Sequence, residues 1–194
     1  MSQLKKIFSR KKLQPASAHQ QNFGELGLEY FVCGRFSFFC GFPVTGNLLH
    51  HAVEMFLKMA MTKYYSDEQF KKVFRHRLRR LWKEFKKKNK RVPLNSYDQV
   101  IKDLDKWENI RYPTPEYKLL SLGLNRSPTP AKRRGPTPNP YALWLSEVDE
   151  LVRVIFQTSE ISPKRFRRVF IGTEIGPEAK RFYDFENKFP LSFG

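Results

Sequence analysis

Between Phe23 and Phe42 the chain reads FGELGLEYFVCGRFSFFCGF, apolar on nearly every side, with Glu25, Glu29 and Arg35 as its charges. That density predicts a central helix, and Pro43 closes it. A second apolar segment follows, GNLLHHAVEMFLKMAMTKYY. At about 100° per residue, Asn47, His51, Glu54, Lys58 and Thr62 share one narrow polar stripe along it, with His50 beside the stripe. Glu54 precedes Lys58 in the favourable i,i+4 order.

SDEQ at 66–69 is a helix-start signal, and after it Phe74, Leu78, Leu81, Trp82 and Phe85 repeat as one apolar face. A third helical segment runs through Tyr97, Val100, Ile101, Leu104 and Trp107, with Asp98, Asp103, Asp105 and Glu108 on its other faces. The stretch from Tyr112 to Pro140 is dense in proline and reads as a linker or long surface loop. Helical period returns over 140–160 through Leu143, Val148, Leu151, Val152, Ile155 and Phe156. Short helices are expected near 163–170 and 176–187. The pattern divides the chain into a basic arm (1–21), a helical core (22–112), a Pro-rich linker or loop (113–140) and a C-terminal helical segment packed on the core (141–194). The fold class is all-α, with at least four helices and no sheet beyond an incidental hairpin.

Charge adds a functional direction. The 194 residues carry a formal net charge of +17, a balance that favours polyanionic partners, nucleic acid first. Residues 71–91 hold twelve Lys or Arg against a single Glu. On a continuous helix Arg75, Arg79, Arg80, Lys83, Lys86 and Lys87 lie opposite the apolar face, a side suited to phosphates. The acidic third segment is expected as the electrostatic neighbour of this basic helix. His76 would join the cationic side, or turn inward to cap or catalyse if the helix begins there.

Other chemistry is thin. The sequence has no GxSxG elbow, no GxxxxGK[ST] and no GxGxxG. Cys33 and Cys40 are the only cysteines; seven residues apart on one helix, about 10 Å, they cannot pair, and a reduced, cytoplasmic chain is expected. The N-terminus lacks the apolar core of a secretory signal, and Gly41, Pro43, Gly46 and Asn47 interrupt the uncharged stretch 36–53, so no membrane span is expected. His50 and His51, adjacent and about 100° apart on a helix, are not expected to chelate one metal. No metal or cofactor is anticipated.

GRFSFFCGFPVTGNLLHHAVEMFLKMAM, then FRHRLRRLWKEFKK, then VIKDLDKWENIRYP, resembles the HEPN family of helical domains over about residues 23–113. The matching positions are Ala52, Glu54, Leu57 and Lys58, then His76 and Leu78, then Arg111 to Pro113. The resemblance implies an up-and-down helical bundle, commonly a homodimer, of the kind found in nucleotide- or RNA-interacting proteins and ribonuclease toxins. Catalytic members carry Arg, four to six residues, then His. Here Lys71 occupies that window before His76, and no Arg stands in range of His50 or His51, so the ribonuclease activity is not carried over. His51, Glu54, Lys58 and Arg111 are expected to form a polar stripe facing a partner subunit, solvent or a small ligand site. The expected function is binding of RNA or another polyanion through the basic helix. The alternatives are a dimerisation or interaction module meeting an acidic protein, and a metal-independent endoribonuclease whose candidate catalytic residue is His76.

Overall fold

The computed structural model of the chain describes residues 17–109, 120–125, 141–171 and 176–193. Its architecture is an all-α helical bundle with eight α-helices and one small sheet among the described residues. Helix α1 (Ala18–Phe39) starts at a Ser17 cap that accepts from the Gln20 N–H, so the expected arm ends a few residues earlier than Gln21. It packs along α2 (Thr45–Met61). Small residues permit the close approach: a Cβ added at Gly27 would stand 2.8 Å from the Phe56 ring, and one at Gly34 2.7 Å from Leu49.

Helix α2 is the centre of the bundle, contacting α1, α4, α5 and α6. Leu49, Ala52, Val53, Phe56, Leu57 and Met59 are fully buried along it, so its polar stripe must also be buried or border a crevice. After the capping box of α3 (Asp67–Gln69) the expected continuous helix breaks. Residues Phe70–Phe74 form a π-helical turn in which the Arg75 N–H reaches the Phe70 carbonyl, and Arg75 then takes a positive φ of 47°. Helix α4 (Leu78–Lys88) starts afresh. Phe74 and Leu78 face the core on either side of the break, and His76 between them reaches back to Glu54 of α2.

A 3-10 turn leads into α5 (Asp98–Trp107), which lies against α4 and α2. Trp107 is fully buried and fills the space above Gly46. Trp82 is buried on α4, its indole N–H donating to Asp98 at 2.7 Å.

The sheet corrects the reading of the Pro-rich region. β1 (Leu120–Gly123), inside the expected linker, pairs with β2 (Tyr141–Trp144) in parallel, with Leu120 opposite Tyr141. It is therefore not a hairpin, and Leu143 belongs to a strand rather than to the helix. Four residues are too short a run for alternation to stand out in sequence. The helix begins at Leu145 as α6 (Leu145–Ser159). A 3-10 turn (Pro163–Phe166), α7 (Arg168–Ile171) and α8 (Gly176–Asp184) complete the chain. Val148, Leu151, Ile155, Phe166 and Tyr183 share one core with α1, α2, α4 and α5. Arg35, fully buried on α1, joins this segment to the rest by pairing with Asp149 of α6 and donating to the Phe182 and Phe185 carbonyls. No helix among the described residues is long and apolar enough to cross a membrane. Cys33 and Cys40 are both free and exposed.

Candidate functional site

Glu54 is the pivot of the polar stripe. It sits in the middle of the central helix, 1% exposed, so its charge needs partners from neighbouring turns and helices. Lys58, one turn on, places Nζ 2.5 Å from Oε1. His51, one turn back, places Nδ1 3.4 Å from Oε2, and His76, from the break before α4, places Nδ1 3.3 Å from the same oxygen. Burial alone would raise the Glu54 carboxyl, but the His51 hydrogen bond, the Lys58 ammonium and His76 outweigh it and hold the group down at about 2. The three histidine rings form a chain, His50 to His51 at 5.3 Å and His51 to His76 at 5.8 Å between centroids.

His50 is completely buried, and its Nδ1 lies 3.1 Å from the Leu104 carbonyl of α5. A carbonyl only accepts, so Nδ1 carries the proton. Desolvation pushes its pKa below the ordinary histidine value, against the opposing pull of the Leu104 carbonyl, Glu54 and Glu108. Nε2 has no hydrogen-bond partner and points at two carboxylates, 3.5 Å from Glu108 Oε2 and 3.9 Å from Glu54 Oε2.

The cluster opens onto a groove of about 590 Å³ between the start of α4 and the end of α5, walled by His76, Arg77, Arg79, Arg80 and Lys83 on one side and Asp105, Glu108 and Asn109 on the other. Among the described residues Arg77, Arg79, Arg80 and Lys83 are exposed and form no ion pair, although the Arg79 backbone N–H donates to Asp105. His76, its side chain 55% exposed, stands where the buried cluster meets this groove.

The structure thus divides the expected basic face. Arg79, Arg80 and Lys83 converge on the groove. Lys86 is held by Asp98 at 2.7 Å and by Asn95 at 3.0 Å, because α5 supplies its acids there. Lys87 is exposed farther along α4, 3.9 Å from Glu84. Arg75 is exposed in the break rather than on a helical face. Of the stripe, Glu54 and Lys58 are buried inside the bundle and His51 is partly buried, so of the expected settings, partner, solvent or small ligand site, the first two are corrected to a cluster inside the bundle. Arg111 lies outside the described residues. Sequence reasoning missed Arg77, Asp105, Glu108 and Asn109 as groove residues and His50 as a member of the Glu54 cluster. Although the backbone directions of His50 and His51 diverge by about 100°, ring atoms of both and a Glu54 oxygen lie within 4.8 Å of one another. Neither a family model, nor a curated protein, nor a solved structure matches this chain.

Proposed function

We propose that this chain is a HEPN-like helical-bundle protein that binds RNA through the basic groove at the start of α4. The observation that carries the reading is the convergence of Arg77, Arg79, Arg80 and Lys83 on one groove without ion-pair partners among the described residues. Cations left unneutralised by their own fold gain most from displacing counterions along a phosphate backbone. The groove has room for a nucleotide-sized group, and the wall facing the cations offers Asn109 and the acids Asp105 and Glu108 as hydrogen-bonding groups for sugar or base edges. The surface is equally open to an acidic protein, and the binding experiment separates the two partners.

A second reading, metal-independent RNA cleavage, is favoured by one contact. Glu54 Oε2 lies 3.3 Å from His76 Nδ1. A carboxylate in that position orients an imidazole and leaves Nε2 to exchange a proton with substrate. A homodimer, which the resemblance implies, would have an apolar surface available in the exposed Phe36, Phe42, Phe182 and Phe185.

Fluorescence anisotropy of an end-labelled single-stranded RNA, followed by a denaturing gel of the same samples, tests both readings. Binding without shortening supports the groove as a binding site, and shortening that disappears in His76→Ala supports cleavage. No binding at low salt, together with a stable complex with an acidic protein, would overturn the RNA reading.

A further inference from the structure

The fully buried Nε2 of His50 is an electron-pair donor aimed at two carboxylate oxygens, with no hydrogen bond of its own. Lone pair against carboxylate is repulsive, and a positive centre between them, a proton or a metal ion, relieves it. The surroundings fit a metal ion better than a proton. Nδ1 donates to the Leu104 carbonyl, the outer-shell hydrogen bond that fixes the tautomer and ring orientation of a metal-binding histidine. Spacing agrees: a zinc-type ion with ligands at about 2.0–2.1 Å and tetrahedral angles has ligand-to-ligand edges of about 3.4 Å. Here Glu54 Oε2 lies 3.4 Å from His51 Nδ1 and 3.9 Å from His50 Nε2, and Glu108 Oε2 lies 3.5 Å from His50 Nε2.

We propose that His50, His51 and Glu54 bind one divalent transition-metal ion of the zinc class, with Glu108, 3.5 Å from His50 Nε2 and 3.9 Å from His51 Nε2, beside the ion at the groove edge. The ligand set is two imidazoles and a carboxylate, which suits zinc, cobalt or nickel and disfavours magnesium and calcium. Lys58 takes Glu54 Oε1, leaving Oε2 as the metal-facing oxygen and partly compensating the site's negative charge. His76 Nδ1, 3.3 Å from Oε2, marks the side on which the ion meets the basic groove. The inference does not rest on RNA binding, because every ligand is fixed by the packing of α2 against α5.

The test uses the full chain with Cys33→Ser and Cys40→Ser, so that no thiol competes, stripped with chelator and titrated with Co²⁺ while visible absorption is followed. One equivalent should develop the intense bands of a four-coordinate site, and Zn²⁺ should displace them. His50→Asn retains an amide donor for the Leu104 carbonyl but lacks Nε2, and His51→Ala removes a partly exposed ligand. Each should weaken binding by at least about 10–100-fold, with far-UV circular dichroism confirming the fold. His19→Ala, whose imidazole pairs with Asp67 elsewhere, should leave binding unchanged. Should one of the two ligand variants misfold, Glu108→Gln at the partly exposed edge takes its place, with a smaller loss expected. Absence of a stoichiometric site, only octahedral Co²⁺ bands, or undiminished binding in folded ligand variants would overturn the proposal.

Discussion

Replacing Lys58 with Met probes the buried charge cluster most sharply. The Lys58 ammonium lies 2.5 Å from Glu54 Oε1, and the two side chains are 11% and 1% exposed. At an effective dielectric of 20 their attraction is about 7 kcal/mol, and desolvation of both charges offsets most of it. Removing only the ammonium strands the carboxylate with His51 and His76, so the expected loss is about 3–5 kcal/mol. Glu54→Gln, which strands the ammonium instead, should cost a similar amount. Glu54→Gln with Lys58→Met removes both charges and should be much less destabilised than the sum of the single variants. Urea unfolding followed by circular dichroism and by tryptophan fluorescence gives the three free energies, provided the probes coincide. Strict additivity, or single losses below about 1 kcal/mol, would refute the picture of a mutually dependent buried pair.

The same carboxylate gives a pH dependence. With its pKa held at about 2 in the fold against an ordinary value of 4.5, Glu54 contributes about 3 kcal/mol that is present above pH 4.5 and lost as pH falls toward 2; acid unfolding of Glu54→Gln should lack this component. Gly46→Ala would place a Cβ 1.9 Å from the Trp107 indole, so Trp107 must leave its site, and the loss should approach the about 3–5 kcal/mol expected for Trp107→Ala; a thermal melt within a degree or two of wild type would contradict this packing. Arg35→Met removes the donor to Asp149, Phe182 and Phe185 and should cost about 3–5 kcal/mol, with the earliest loss of hydrogen-exchange protection in residues 176–193.

What the sequence revealed depended on the range of the interaction. The periodicity of α2, α4, α5 and α6 follows from local spacing, and Trp82 and Trp107 fall on their buried faces as the pattern implies. The α4 break stood in the sequence only as an alternative, a helix beginning at His76, because no Gly or Pro marks it; Arg75 itself takes the positive φ. That break decides where His76 goes, and a continuous helix would have carried it away from Glu54. Charge density identified Arg79, Arg80 and Lys83, but could not show that Lys86 is spent on Asp98, a contact set by how α5 lies on α4. The periodicity places His50 only beside the polar stripe. Its partner is a backbone carbonyl, Leu104, which has no sequence signature.

The groove's role in RNA binding is tested most directly by the salt dependence of affinity. Arg79, Arg80 and Lys83 changed together to Gln should keep α4 helical and lower the slope of log affinity against log salt by about 2, since each contact to a single-stranded phosphate contributes about 0.7. Lys5, Lys6 and Lys11 changed together to Gln remove the same formal charge and should leave the slope near that of the unaltered chain. Equal slopes for the two triple variants would contradict the assignment of RNA binding to the groove.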